Sequence, residues 1–244
     1  MIRNFNDFVD SLLDAGFSMG GGSNDEGIFT VVKAGWGEPA ADDSPIRWHT
    51  GDPDTDPWEW RIRVLNERDD IAYGKFFFKK SGYITKDWYP YFMAARRDGD
   101  TFEDAYAGGT ISYFAKRIYD VVAENGTLPL HSIKQLAGFT REDKSGFDRA
   151  LVELQMGMFL TMCGQQSRLT QKGGRLGLVE TEPAASASWP STVFCTTERF
   201  FSEDVFDKAA KISKAQAVDA ITAQVLMLNP LANVKKIAKF IYAN

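Results

Sequence analysis

Apolar positions along this chain change period several times, and each change marks an element. Phe5, Phe8, Val9, Leu12 and Leu13 fall at helical spacing and predict a short first helix that ends at Gly16. Met19 to Glu26 reads as a Gly/Ser/Asn/Asp loop, and Ile28 to Val32 as a strand. Residues 35–53 are rich in Gly, Pro and Asp and predict a long surface loop, a type of segment that often carries function. Asp56-Pro57-Trp58-Glu59 is then a helix start: Asp56 caps, Pro57 takes the first helical position, and Glu59 reaches back to the cap's amide. Trp58, Ile62 and Leu65 are expected on the inward face of that helix. Lys75 to Ile84 is strand-like around Lys79-Lys80, and Thr85 is predicted to cap a helix that passes through Trp88 and Phe92 to Arg97.

The middle has the clearest order. Thr110 is predicted to cap a helix with Ile111, Phe114, Ile118 and Val121/Val122 inward, ended by Asn125-Gly126. A short second helix covers Leu130 to Ala137 and stops at Gly138. A third runs from about residue 142 to 157, with Phe147, Ala150, Leu151 and Leu154 on one face. Phe159 to Cys163 is a strand, Gln165 to Gly174 a polar turn and Leu176 to Glu180 the return strand. Three helices followed by a β-hairpin is the winged helix-turn-helix order, in which the third helix enters a groove of the nucleic acid and the hairpin wing touches its backbone. Glu182 to Thr197 reads as a small-residue loop. Helices over residues 201–212, from the Ser213 cap to Leu228, and from Asn229-Pro230 to Tyr242 make the tail.

The expected fold class is therefore α+β and mostly helical. Residues 1–109 form an N-terminal aromatic-rich α/β segment, 110–180 a winged helix-turn-helix domain, and 181–244 a loop with C-terminal helices that pack on the rest.

Composition adds limits. The 244 residues, 44% of them hydrophobic, suit one large domain or two small ones. No apolar run approaches the roughly eighteen residues of a membrane helix, and the first sixteen residues hold no signal-peptide core, so a cytoplasmic protein with no membrane partner is expected. Cys163 and Cys195 fit a reducing compartment; neither has metal-ligand neighbours, and no cofactor or metal is expected. The net charge of −5 is uneven: residues 1–109 carry −8, residues 110–180 carry +2 and residues 181–244 carry +1. A polyanion would be repelled by the first part and accepted by the rest.

Candidate nucleic-acid contacts follow from that split. On the third helix, Lys144, Ser145, Arg149 and Gln155 favour DNA contact, while Asp148 and Glu153 oppose it. On the wing, Arg168, Lys172 and Arg175 flank Gly173-Gly174. Lys79, Lys80, Arg96 and Arg97, interleaved with aromatics, form a second basic patch suited to stacking bases and neutralising phosphates, or else a core with a solvated rim. Lys235, Lys236 and Lys239 form another, either a further backbone contact or a solvated face favoured near a helix C-terminus.

One run stands apart: Trp48-His49-Thr50-Gly51-Asp52-Pro53-Asp54-Thr55-Asp56-Pro57-Trp58-Glu59-Trp60. It holds three of the six tryptophans, one of the two histidines and four acids. His49 beside Asp52, Asp54 and Asp56 is a candidate general base oriented by a carboxylate, or one arm of a metal site, and Trp58 belongs to the same candidate cluster. The competing reading is a structural clasp, with His49 bonding a loop carbonyl and Asp56 capping. No P-loop, dinucleotide fingerprint or GxSxG elbow is present.

Trp48-His49-Thr50-Gly51, Asp54, Asp56-Pro57-Trp58 and Trp60, then Ala72-Tyr73-Gly74-Lys75 and Lys80-Ser81-Gly82, resemble the AlkZ-related proteins, named for similarity to the AlkZ (YcaQ-type) alkylpurine DNA glycosylases. The likeness continues through Asp148, Leu154-Gln155 and Leu169-Thr170 to Trp189-Pro190. It implies winged-helix architecture and a link to DNA damage. AlkZ glycosylases use a Gln-x-Gln pair to position water, and this chain contains no such tripeptide. No catalytic residue is transferred. The expectation is a protein that binds nucleic acid, double-stranded DNA foremost, without catalysis. The alternatives are a divergent glycosylase-like or other hydrolase using His49, Asp52, Asp56 and Trp58, and a protein-interaction module using the winged helix as a homodimer surface.

Overall fold

The structure, a computed structural model, describes residues 2–21, 27–33, 43–166 and 191–242. Helix α1 (Phe5–Ala15) starts at Asn4, whose side chain accepts from the Asp7 amide, and ends at Gly16, which has φ of 86°. That left-handed turn suits glycine. It leads directly into β1 (Phe17–Met19), placed by the sequence at the edge of a loop. The expected strand at 28–32 is not a strand. Ile28, Thr30, Val31 and Val32 are buried, and the Met19 amide to Phe29 carbonyl bond and the Val31 amide to Ser18 Oγ bond tie the segment to β1 without a ladder.

Helix α2 (Pro57–Glu67) begins at Asp56, as expected. Its buried face is Trp60, Val64 and Leu65, so the inward stripe is turned from the expected Trp58 and Ile62. Strands β2 (Ile71–Phe77) and β3 (Lys80–Thr85) make a hairpin around Phe78 and Lys79, whose φ values of 49° and 63° belong to a type I′ turn. Thr85 does not cap the next helix; its hydroxyl donates to the Gly16 carbonyl and fastens β3 to the end of α1. Helix α3 (Tyr89–Arg97) starts instead at Trp88, and α4 (Phe102–Ala107) carries a Thr101/Asp104 capping box.

Helix α5 (Tyr113–Asn125) is capped by Ser112 rather than Thr110. Then come β4 (Thr127–Pro129), α6 (Leu130–Leu136), α7 (Lys144–Met156), β5 (Leu160–Gln166) and β6 (Ser191–Thr196). Strand β6 lies where the sequence suggested a small-residue loop. The return strand expected at 176–180 lies outside the described residues. Helices α8 (Thr197–Phe200), α9 (Glu203–Ala210), α10 (Lys214–Leu228) and α11 (Val234–Tyr242) complete the chain. The last of these begins four residues beyond Pro230.

The result is a mixed α/β architecture that has, among the described residues, one six-stranded antiparallel sheet, ordered β1-β3-β2-β5-β6-β4. Strands from residues 17–85 and from 127–196 join where Tyr73 faces Met162. Alternation on β2 and β3 sends Ala72 and Ile84 to a core shared with α3, α10 and α11, and Ile71, Tyr73 and Tyr83 to a core shared with α1 and α2. A third core lies under α4 to α7, built on Phe147, Ala150, Leu151 and Leu154 as the helical period foretold.

Two arginines bind the parts together. Arg96 donates to the Met156 carbonyl at the end of α7 and to the Phe240 and Ile241 carbonyls at the end of α11, so one guanidinium caps two helix C-termini. Arg97 donates to the Gly157 and Met158 carbonyls and to Glu198. These arginines are structural. The aromatics around them, Phe76, Phe77, Tyr89 and Phe92, are buried, so the base-stacking reading of that patch gives way to a core with a rim. Among the described residues no helix is long and apolar enough to cross a membrane.

Candidate functional site

The tryptophan-rich loop is organised by one carboxylate. Asp56 is fully buried. Its Oδ1 accepts from the amides of Trp58 at 2.8 Å and His49 at 3.1 Å; its Oδ2 accepts from Thr50 at 2.7 Å and Gly51 at 2.9 Å. The side chain therefore caps α2 and cradles the Trp-His-Thr-Gly turn at once. That turn needs left-handed backbone at His49, with φ of 60°, and at Gly51, with φ of 76°. Glu59 does not complete a capping box, because the Asp56 amide donates to the Asp52 carbonyl instead. Asp52 is exposed and accepts from the Asp54 amide and the Thr55 hydroxyl. Those bonds, the Asp54 amide first, hold its carboxyl below the usual range.

His49 is exposed, with its ring 4.9 Å from that of Trp58. Trp58 is half-buried, and the Arg61 guanidinium lies 3.7 Å above its ring. The four candidates His49, Asp52, Asp56 and Trp58 thus share one loop. The Asp56 carboxylate, however, is taken up by four backbone amides. Trp60 is wholly buried, stacked on Phe8 at 5.0 Å, with its indole N–H donating to the Asp54 carbonyl. Among the described residues no three His, Cys, Asp or Glu side chains gather as metal ligands would.

Beside this loop lies a pocket of about 220 Å3, lined by Trp48, Trp58, Arg61, Tyr73, Ser81 and Tyr83 among others. Tyr73 and Tyr83 face each other across β2 and β3, ring centres 4.8 Å apart. Burial pushes both phenols up, Tyr83 strongly; a Ser81 hydrogen bond pulls Tyr73 part of the way back. Residues that carried the family likeness, from three separate stretches of chain, meet here. The sequence offered their types but not their convergence, which depends on the β2–β3 register.

A second, larger groove of about 1250 Å3 runs along the outer face of α7. Lys144, Ser145 and Arg149 are exposed there, on the face opposite the buried Phe147, Ala150 and Leu154. Lys75, Lys79 and Arg141 line the same groove, and so do the acids Asp100, Glu142 and Asp148, of which Asp148 stands exposed on α7 as the opposing charge the sequence predicted. Glu153 does not act as a free opposing charge, because its carboxylate accepts from the Ser112 amide and hydroxyl at the start of α5. Asp98 is paired with Lys214 at 3.3 Å. Gln155 is not a surface contact: it is buried, accepting from the Lys75 amide and donating to the Leu151 carbonyl, and it fastens α7 to β2. Arg168, Lys172 and Arg175 lie outside the described residues.

Fold and groove define a mixed α/β protein with an antiparallel sheet and a cation-bearing helix exposed along a cleft. Within that class the family model described as AlkZ related matches residues 2–242, and the chain belongs to that family. No curated protein and no solved structure matches it.

Proposed function

We propose that this protein binds nucleic acid, double-stranded DNA foremost, along the outer face of α7, and that it does not cleave glycosidic bonds. The observation that carries the reading is the exposure of Lys144, Ser145 and Arg149 on one helix face, in a groove shared with Lys75, Lys79 and Arg141. The described residues between 113 and 196 follow the order helix, strand, helix, helix, strand, strand, with β4, β6 and β5 antiparallel. We read this unit as a winged helix with α7 as its recognition helix. Membership in a family named for DNA repair glycosylases supports the choice of DNA. The wing cations Arg168, Lys172 and Arg175 add charge to the same reading. Two features weigh against catalysis: the chain lacks Gln-x-Gln, and the Asp56 carboxylate is occupied by backbone amides.

A mobility-shift assay with intact and 7-methylguanine-containing duplex, scored in parallel for base release, tests both halves. Retarded duplex at roughly 50 mM salt with base release equal to the no-protein control is the expected result. Base release above control, lost on His49→Ala or Asp52→Ala, would make the tryptophan loop an active site. No retarded duplex, with a homodimer in sedimentation, would favour the protein-interaction alternative.

A further inference from the structure

The tryptophan motif takes no part in the α7 groove, yet its residues wall a pocket of their own. We propose that the pocket bounded by Trp48, Trp58, Arg61, Tyr73, Ser81 and Tyr83 is a binding site for a small aromatic carboxylate, a single flat ring bearing one carboxylate group. Charge points to an anion. Arg61 lines the pocket, and among the described residues no Asp or Glu does. Arg61 also has an unmet need: its Nε–H is buried without a hydrogen-bond partner. A buried donor left unpaired is costly, and a ligand oxygen would relieve it. Stacking on Trp58 fixes the guanidinium in place, so its planar fork is presented rather than searching. A planar fork matches a planar carboxylate.

Shape points to a ring. Trp48, Tyr73 and Tyr83 supply flat apolar walls, and aromatic faces favour flat partners. Size excludes larger ligands: about 220 Å3 falls below the roughly 300–1,000 Å3 of sites for drug-sized molecules, so a nucleotide cofactor does not fit. The walls are also held in place. Asp56 pins the loop between Trp48 and Trp58 through four amides. Gly21, with φ of 115°, leaves the space that the Trp48 ring occupies, since a Cβ there would lie 2.7 Å from it. A site this rigid recognises its ligand with little ordering to do.

The test uses the full chain and three probe acids: benzoate, nicotinate and orotate. Binding is followed by tryptophan fluorescence, to which Trp48 and Trp58 contribute, and by calorimetry. At least one acid is expected to saturate below ~10 mM, with its neutral amide, nicotinamide in the case of nicotinate, at least about tenfold weaker. Arg61→Gln is expected to lose about tenfold or more in affinity, and Lys144→Ala to lose none. Circular dichroism confirms that each variant is folded; Arg61→Lys, which keeps the charge but not the planar fork, serves if Arg61→Gln does not fold and is expected to weaken binding. No saturation by any of the three acids, equal affinity for acid and amide, or unchanged affinity in the folded Arg61 variant would overturn the proposal. Because Lys144→Ala reports on the α7 groove alone, failure here is separable from failure of DNA binding.

Discussion

Asp56 does the work of several side chains. It closes the N-terminus of α2 and satisfies three consecutive amides of a turn with no regular structure of its own. Asp56→Ala is expected to cost about 2–4 kcal/mol: roughly 0.5–2 for the cap, with a further contribution from turn amides left unpaired. Urea unfolding monitored by tryptophan fluorescence checks this, and a loss under about 0.5 kcal/mol would deny the carboxylate its clasp role. The buried tyrosines give a pH prediction. Tyr73, Tyr83 and Tyr89 all have phenols raised above the ordinary value of 10.0 by burial. Below that pH folded and unfolded chains both keep the protons. Above it the unfolded chain releases them first, so stability falls as pH rises past 10, by up to about 1.4 kcal/mol per pH unit for each phenol. Urea midpoints measured from pH 8 to 11 are expected to hold level and then drop. A level midpoint throughout would show that these phenols ionise freely in the fold.

At the scale of elements, close approach and shared ends explain the packing. The Gly146 site on α7 leaves no room: an added Cβ would lie 2.5 Å from the Phe114 ring of α5. Gly146→Ala is therefore expected to destabilise by about 1–3 kcal/mol through overpacking, read by thermal unfolding. Stability unchanged within about 0.5 kcal/mol would mean that the Phe114 ring moves aside freely. Arg96 joins α7 and α11 by their carbonyl ends. Arg96→Met is expected to speed amide exchange in α11 before the rest of the molecule opens; protection unchanged in α11 would show that its apolar face alone holds it.

Much of this is legible in the chain. Helices α1, α5 and α7 show the 3.6 period because each buries one stripe. Strand β6 escapes a reading of the sequence because Ser-Thr-Val-Phe-Cys-Thr lacks a clean alternation and follows a run of small residues. Its pairing with β4 and β5 makes it a strand. Gln155 is misplaced by the same reading because a polar residue at the edge of a helical stripe looks solvent-facing; its burial is set by the Lys75 amide, eighty residues earlier. The Trp48–Tyr83 pocket is legible as residue types only, because strand register, which spacing within one segment does not reveal, brings them together.

For the whole molecule, charge and shape divide the labour. The acidic N-terminal segment lends Lys75 and Lys79 to the α7 groove, beside Arg141, Lys144 and Arg149. A polyanion seated there gains from neutralised phosphates, and each neutralised phosphate releases counterions. The most direct test is duplex DNA affinity over a salt series for the parent protein and for Lys144→Ala/Arg149→Ala. The double variant is expected to bind more weakly at every salt concentration, with a slope of log K against log salt shallower by about 0.9 for each phosphate it no longer neutralises. A parent protein that binds duplex with the same affinity and slope as the variant would contradict DNA seating along α7.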